Sequence, residues 1–319
     1  MRRIVALLLT VLLLVLCACG KRAPEVNGLI LATGDETGTY CQFGNLLAQR
    51  INAATTAFIA TVTSEGSRQN LEALAKHEAQ FAFTQYDTML FAREGKGAFR
   101  ESGALEGFSV IAALYPESVH IVTLDPGITS VAELAGKRVS VGPVGSGGYS
   151  NAMDILNACG MTEKDIEAYP YSFRESVDGL LGGSLDAAFL VAGAPVGAVA
   201  SLAEERQIYL IGLDDACIEK LIAEGPAYSR AVIPADAYGT AKDCATVAID
   251  AVIVADDRVS EKEAYDFIRG IYDNLEGLKK NSPFAEYLSL ELASSVSGAP
   301  YHPGAARYYA EHGITVPTG

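Results

Sequence analysis

The stretch LILATGDETGTY, residues 29–40, joins a short β-prone run to a glycine-rich turn and the start of a helix. The apolar run is Leu29–Thr33, and the residues from Tyr40 to Asn52 carry apolar side chains at helical spacing. Such a turn exposes backbone N–H groups at the positive end of a helix, which favours an anionic ligand group, although ordinary strand-to-helix turns look the same. Its glycines, Gly34 and Gly38, lack the spacing of dinucleotide-binding or Walker motifs.

Strand-like and helix-like segments alternate onward from this stretch. Phe58–Thr63 and Phe81–Thr84 are predicted strands, and helices are predicted around Leu71–Ala75 and Met89–Ala92. This βαβαβ order predicts a parallel sheet with helices on its faces.

A second alternating unit begins after Pro116-Glu117. That dipeptide is expected to separate two strands, Phe108–Tyr115 and Val119–Leu124, and Ser130 is expected to cap a short helix. Further strands are predicted at 138–142, 185–191, 208–212 and 246–255, and further helices at 149–159, 173–181, 195–205 and 260–279. The second unit therefore has a sheet of its own.

No linker separates the two units, so strands are expected to cross between them near 114–123 and 246–255. Lobe 1 then comprises residues 28–114 plus 255–319, and lobe 2 comprises residues 115–254. Such a division places a cleft between two lobes that can hinge.

The N-terminus has the pattern of an export signal. Arg2 and Arg3 precede the apolar run from Ile4 to Leu16, which is too short to span a bilayer, and Cys19 follows the small Ala18 as in a bacterial lipobox. We therefore expect a signal peptide at 1–18, lipidation of Cys19 and a tether at 19–27. A plain signal peptide or an uncleaved anchor is the alternative.

Charge and cysteine usage exclude several classes of partner. The formal net charge of −15 argues against nucleic acid as a partner. The body cysteines, Cys41, Cys159, Cys217 and Cys244, show no metal-ligand spacing, so no metal is expected. A disulfide is allowed outside the cytoplasm, and Cys217–Cys244 is the favoured pair because both lie in one region.

Polar residues follow several predicted strands, where open α/β sheets place ligands. Ser67 follows the second strand, and Gln85 and Asp87 follow the third; Ser67 and Asp87 are also suitable helix caps. Arg68 either pairs with a ligand carboxylate or is solvated. In lobe 2, Gly145-Ser146-Gly147-Gly148 precedes another helix, so two helix N-termini would face one small carboxylate ligand.

The sequence contains no familiar catalytic motif. There is no GxSxG, HExxH or supported SxxK set, and none of the four histidines, His77, His120, His302 and His312, lies beside a nucleophile in sequence. The sequence therefore predicts neither an enzyme nor a cofactor.

The chain resembles the TAXI class of solute-binding proteins of TRAP transporters, the tripartite ATP-independent periplasmic systems. The matching segments are Thr33-Gly34, Gly38-Thr39-Tyr40 and Gly44; Gly66-Ser67, Asn70-Leu71, Gln85 and Asp87; Leu114-Tyr115-Pro116-Glu117; 137–142 with Gly145-Ser146-Gly147; 186–189 with 192–195; and His302-Pro303-Gly304-Ala305 with Tyr308-Tyr309. They run in order over nearly the whole body of the chain.

This resemblance implies an α/β fold of the two-lobed, type II periplasmic-binding-protein-like kind, with mixed sheets flanked by helices and a cleft at the hinge. It implies an extracytoplasmic protein, lipid-anchored to a bacterial membrane, that captures a small amino acid or organic acid and delivers it to a TRAP membrane permease. By position, the first wall of the site would contain Gly38, Thr39, Tyr40, Ser67, Asn70, Gln85 and Asp87. The second wall would contain Tyr115, Ser146, Gly147 and Gly193.

The sequence departs from the family pattern at Asp35, Thr37, Cys41 and Gln42. Asp35 and Glu36 add negative charge near the expected mouth, which favours a ligand with an ammonium group, with glutamate or glutamine first. The rival hypotheses are a binding subunit of an ABC transporter, a ligand sensor that presents its lobes to a membrane kinase, and, third, an enzyme built on the same lobes.

Overall fold

The computed structural model describes residues 28–225 and 227–319, and the expected signal peptide, tether and Cys19 lie outside them. The strands of this part are β1 (Leu29–Ala32), β2 (Ile59–Val62), β3 (Phe81–Gln85), β4 (Phe108–Thr123), β5 (Arg138–Ser140), β6 (Glu167–Tyr169), β7 (Ala187–Ala192), β8 (Tyr209–Leu210), β9 (Tyr228–Ile233) and β10 (Cys244–Asp256). They form one mixed sheet in the order β2-β1-β3-β10-β4-β7-β5-β6, with β8 on β4 and β9 on β10, so the separate sheet expected for the second unit is wrong.

The helices cover the faces of this sheet, as the alternating pattern predicts. They are α1 (Thr39–Ala54), α2 (Ser67–Ala75), α3 (Tyr86–Glu94), α4 (Gly147–Ala158), α5 (Phe173–Leu181), α6 (Gly197–Glu205), α7 (Asp215–Glu224), α8 (Glu261–Tyr272), α9 (Leu275–Lys279), α10 (Leu290–Ala293) and α11 (Pro303–Glu311). Within the described residues, no helix is long and apolar enough to cross a membrane.

Two long antiparallel strands, β4 and β10, run through both halves of the sheet. β10 pairs with β3 through Ala251–Ala255 and with β9 through 244–249, while β4 pairs with β7 only from Ser118 onward. The expected break at Pro116-Glu117 is wrong, because β4 continues through both residues and Pro116 pairs with Asp250. A proline is tolerated there because the opposite edge of β4 takes up β7 only two residues later.

The buried apolar residues form three clusters. One uses residues up to Tyr115 and from Ala251 onward, and the other two use residues from Val119 to Ile249. This packing supports the division into lobe 1 and lobe 2, with the second crossing at about residue 250. The lobe boundaries remain our proposal, and we keep the two names for the ranges given above.

The structure corrects the expected disulfide. Cys159 and Cys217 are bonded, with their Cα atoms 5.2 Å apart, whereas Cys244 and Cys41 are buried free thiols. Cys159 directly follows α4 and Cys217 lies in the first turn of α7, and these two helices pack together. Chain proximity favoured Cys217–Cys244, but helix packing decides the pairing.

Other local differences concern segments without strong patterns. The helix expected at 260–279 is interrupted by residues 273–274 and forms α8 and α9, and Ser260 caps α8 in a capping box with Glu263. Strands β6 and β9 and helices α7, α10 and α11 were not predicted. β6 is three residues long, and α7 lies in a region without a clear apolar period.

Candidate functional site

A cleft lies where the carboxyl ends of the parallel strands of both lobes meet. β1 is parallel to β2 and β3 in lobe 1, and β5 is parallel to β6 and β7 in lobe 2. The loops that leave these strands enclose a cavity of about 390 Å³. That volume is within the usual range for a small-molecule site, and strand ends are where open α/β sheets place their ligands.

Lobe 1 presents helix N-termini without side-chain caps to this cavity. α1 begins after Gly38 and α2 after Gly66, and neither glycine provides a capping side chain. Gly66 has φ of +113°, a conformation that favours glycine over other residues. The first backbone N–H groups of these helices therefore remain available as hydrogen-bond donors to an anionic ligand group.

Lobe 2 presents two further helix N-termini, and both are capped. The Ser146 side chain accepts a hydrogen bond from the Tyr149 N–H at the start of α4. The Ser172 side chain accepts one from the Glu175 N–H in a capping box at the start of α5. Both serines line the cavity, so helix N-termini from the two lobes converge on one space.

Direct hydrogen bonds join the two walls. Gln85 Nε2 donates to Asn151 Oδ1 at 2.9 Å, and Asn151 Nδ2 donates to Asp87 at 2.7 Å. Thr39 Oγ1 donates to the Gly193 carbonyl at 3.2 Å, across 154 residues of chain. The lobes are thus in contact around the cavity, as in a binding protein that has closed.

Asp35 forms another contact between the lobes. Its Oδ1 accepts from the Thr37 N–H, and its Oδ2 accepts from the Phe173 N–H at the start of α5. Both carboxylate oxygens are therefore engaged by the protein. The carboxylate of Asp35, whose charge was expected to favour an ammonium group at the mouth, thus also ties the first loop of lobe 1 to a helix of lobe 2.

One buried acidic side chain, Glu117, lines the cavity from β4. It is 3% exposed, and its Oε2 accepts a 2.6 Å hydrogen bond from the Tyr40 hydroxyl. Burial raises the pKa of Glu117 well above its ordinary range, and the nearby charges of Asp87 and Asp250 raise it further, while the Tyr40 hydrogen bond lowers it.

Seven of the expected site residues lie on the cavity wall. They are Gly38, Thr39, Tyr40, Ser67, Gln85, Ser146 and Gly147. Ser67 also accepts a hydrogen bond from the Gln85 N–H, which ties the start of α2 to the end of β3. The structure therefore brings together residues from four separate loops of the sequence.

The other four expected residues, Asn70, Asp87, Tyr115 and Gly193, lie behind the wall. Asn70 Nδ2 donates to the carbonyls of Thr33 and Phe83 and so joins the ends of β1 and β3. Asp87 accepts from Asn151, and burial raises its pKa to about 6.

Tyr115 packs against Phe43 and Phe284, and its hydroxyl is buried without a partner among the described residues. Gly193 allows Phe284 to approach, since a Cβ there would lie 2.6 Å from the Phe284 ring. These two residues shape the cavity from outside its lining.

Several lining residues were not predicted as site residues. They include Asp35, Glu65, Gly66, Gln69, Glu117, Gly142, Pro143, Gly148, Ser172, Phe173, Phe189, Val191 and Ala192. Phe173 was recognised only as the start of a helix, and Ser172 was missed because β6 was missed. Glu117 was expected to lie in a break between two strands. It lies on the cavity wall because β4 continues through it.

The histidines all lie outside the cavity lining, as their sequence contexts suggested. His120 is buried between the carbonyls of Ser118 and Leu190 and the hydroxyl of Tyr238, and burial lowers its pKa to about 4. His302 bonds to the Val259 carbonyl. Among residues 28–225 and 227–319, no group of three or more acidic, histidine or cysteine side chains is arranged to hold a metal ion.

The fold is that of type II periplasmic solute-binding proteins. PhnD1 from Prochlorococcus marinus (MIT 9301), solved in complex with methylphosphonate, superposes with a TM-score of 0.52 at 12% identity, over 83% of this chain and 89% of that chain. The periplasmic aliphatic sulphonate binding protein SsuA from Escherichia coli has a TM-score of 0.46 at 14% identity, over 91% of each chain.

The GluR0 ligand-binding core from Nostoc punctiforme, in complex with L-glutamate, has a TM-score of 0.48 at 14% identity, over 82% of this chain and 99% of that chain. At 12% identity, the superposition on PhnD1 shows the architecture only. The family is established by the sequence itself: residues 31–313 match the NMT1-like family, and the chain belongs to that family.

Proposed function

We propose that the chain is an extracytoplasmic solute-binding protein that holds a small amino acid or organic acid, with glutamate or glutamine favoured, between its two lobes. The observation that carries this proposal is the convergence of helix N-termini from both lobes on one cavity, at Gly38, Gly66, Ser146 and Ser172. Backbone N–H groups at such ends bind carboxylates without needing a basic side chain.

The cavity lining supports binding rather than catalysis. It offers hydroxyl, amide and carboxyl groups, while its described residues include no histidine, cysteine or lysine that would serve as a base or nucleophile beside a serine. The hydrogen bonds between Gln85 and Asn151 and between Thr39 and Gly193 are of the kind that form when two lobes close on a ligand.

The partners follow from the N-terminus and from the resemblance described above. We propose a lipid anchor at Cys19 and delivery of the solute to a TRAP-type permease, driven by an ion gradient. An ABC permease or a membrane sensor kinase could receive the same closed form, so the adjacent genes decide between these partners. A permease of the TRAP type beside this gene supports the proposal, and an ATPase subunit contradicts it.

The binding proposal is tested by titration calorimetry on the full chain, purified in detergent and freed of ligand by unfolding and refolding. L-glutamate, L-glutamine and 2-oxoglutarate are the first probes, followed by the remaining L-amino acids singly. We expect saturable binding of at least one of them at one site per chain. If no amino acid and no organic acid gives a binding signal, the proposed solute class is excluded.

A further inference from the structure

The charge of the cavity lining is one-sided. Four acidic side chains line the cavity, Asp35, Glu36, Glu65 and Glu117, and the described lining contains no lysine, arginine or histidine. Glu36 and Glu65 are exposed to solvent, and both oxygens of Asp35 are occupied by backbone N–H groups. Glu117 is therefore the lining carboxylate that is both buried and incompletely bonded.

Glu117 has one hydrogen-bond donor and an unused oxygen. The Tyr40 hydroxyl donates to Oε2, while Oε1 has no hydrogen-bond partner within residues 28–225 and 227–319. A buried carboxylate normally accepts several hydrogen bonds or faces a cation, because an uncompensated buried charge is strongly unfavourable. Glu117 lines the cavity, so a bound solute is placed to supply the missing partner.

Among the residues that the structure describes, none that lines the cavity with Glu117 carries a positive charge. The titratable groups that face it are the hydroxyls of Tyr40 on α1 and Tyr115 on β4, and the carboxyls of Asp87 on α3 and Asp250 on β10. The two tyrosines are neutral and the two acids are negative or neutral. The attraction for a positive group at this point is therefore local and unopposed.

We propose that Glu117 receives a primary ammonium group of the bound solute, while the helix N-termini receive its carboxylate. The solute is then an α-amino acid and not a 2-oxo acid, a sulfonate or a phosphonate. This inference rests on the proposed function and specifies the chemistry of the same cavity. It assigns the choice between amine and keto ligands to the buried Glu117, rather than to the half-buried Asp35 or the exposed Glu36.

A pH dependence follows from this assignment. Burial raises the pKa of Glu117, so the empty site holds a proton to a higher pH than an ordinary glutamate does. An ammonium group favours the charged carboxylate, so its binding releases that proton. The affinity for an amino acid therefore rises with pH above the ordinary glutamate range, and the affinity for the matching 2-oxo acid does not.

The test uses the full chain and the variant Glu117→Gln, with Glu204→Gln as control. Glu204 lies on the exposed face of α6, and the control makes the same chemical change outside the cavity. Each protein is titrated with the amino acid that binds best and with its 2-oxo analogue, at several pH values between 5 and 8. Circular dichroism and melting curves report whether each variant is folded.

We expect Glu117→Gln to bind the amino acid roughly 10- to 100-fold more weakly, because a charge-assisted hydrogen bond is lost. Binding of the 2-oxo acid should be unchanged or tighter, and Glu204→Gln should behave as the wild type. Equal affinity of wild type and Glu117→Gln for the amino acid overturns the inference and leaves the proposed function intact.

The wild type alone provides a second test if the variant does not fold. We expect it to prefer the amino acid over the 2-oxo acid, with a preference that grows as the pH rises. Tighter binding of the 2-oxo acid, or identical pH profiles for the two ligands, overturns the role of Glu117. Absence of binding by any amino or organic acid instead removes the proposed function on which the inference rests.

Discussion

The two walls of the cleft differ in how their helices begin. In lobe 1, α1 and α2 start at Gly38 and Gly66 without a capping side chain, while in lobe 2, α4 and α5 start at Ser146 and Ser172, which cap their own helices. Free N–H groups in lobe 1 can bind a carboxylate before closure. Under the proposed binding function, the helix N-termini of lobe 1 are therefore the ones with free donors for a solute carboxylate.

The lobes also differ in how they are held together. The core of lobe 1 is one large cluster, whereas lobe 2 divides its core into two smaller clusters and adds the Cys159–Cys217 disulfide. The described part of lobe 1 has no disulfide, because its one cysteine, Cys41, is a free thiol. The disulfide therefore stabilises lobe 2, which is the lobe with the smaller core clusters.

Removal of the disulfide should have the largest effect on the stability of lobe 2 relative to lobe 1. A link that closes a loop of 58 residues is worth roughly 4 kcal/mol on the chain-entropy model. We expect the double variant Cys159→Ala/Cys217→Ala to lose hydrogen-exchange protection in α4 and α7 while lobe 1 keeps its protection. Cys244→Ala is the matched control, because it removes a buried cysteine and leaves the link. Equal loss of protection in both lobes would break the comparison.

Asp87, which lies where the two walls meet, should give the next largest effect, which is on the pH dependence of the free energy of unfolding. Burial raises the pKa of Asp87 from 3.8 to about 6, so the folded protein binds this proton more tightly than the unfolded chain. The resulting stabilisation is complete below about pH 4 and is lost as the pH rises through about 6, a change of about 3 kcal/mol.

Urea unfolding at pH 4, 5, 6 and 7 measures this change as the difference between wild type and Asp87→Asn. His120 titrates in both proteins without a contribution from Asp87, so its effect cancels in that difference. The charge of Asp87 raises the pKa of Glu117, so the difference also contains this coupling between the two carboxyls. We expect the advantage of the wild type to decline from pH 4 to pH 7. Parallel stability profiles would show that Asp87 is not buried against Asn151 in solution.

Closure itself should be sensitive to Gly147. A Cβ at this position would overlap Gln85 Oε1 and would lie 3.0 Å from Thr88 Oγ1, so Gly147→Ala displaces the Gln85 side chain from Asn151. We expect solute affinity to fall roughly 10- to 100-fold as the closed form is penalised. Gly277→Ala in α9 is the control, since its Cβ would meet nothing closer than 4.0 Å. Unchanged solute affinity in Gly147→Ala would mean that the contact of Gly147 with Gln85 does not form in the solute-bound protein.

A smaller effect is expected at the Thr39 contact. Thr39→Val keeps the shape of the side chain and removes the donor to the Gly193 carbonyl, a bond worth about 1 kcal/mol. Solute affinity should fall a few-fold, mainly through faster release. The Gly193 carbonyl is left unpaired only when the lobes are closed, so an unchanged release rate would show that this bond does not contribute to closure.

Local patterns in the sequence predicted most strands and helices of both lobes, and β10 as a crossing strand, whereas β4 was predicted as two strands. The runs at Leu29–Thr33, Phe81–Thr84 and Thr246–Ala255 are short, strongly β-prone and bounded by turn residues, so their conformation is decided locally. Four lining residues share one position in the chain, at the end of a parallel strand or in the loop between it and the next helix: Gly38, Ser67, Gln85 and Ser146.

The errors arise where tertiary packing decides the outcome. Pro116 indicates a break in isolation, yet β10 holds β4 continuous past it. The partner of Cys217 depends on how α4 packs on α7, which no spacing in the sequence encodes. Glu117 was missed for a related reason: an acidic residue in an expected break belongs to no strand, so its place on the cavity wall follows only from the fold.

The central claim is that two lobes close around a small amino acid, and small-angle X-ray scattering of the full chain in matched detergent tests it most directly. The protein is freed of ligand and measured with and without a saturating mixture of the L-amino acids. We predict a smaller radius of gyration with the mixture for the wild type and little change for Gly147→Ala. An identical radius with and without the mixture in the wild type would contradict the account.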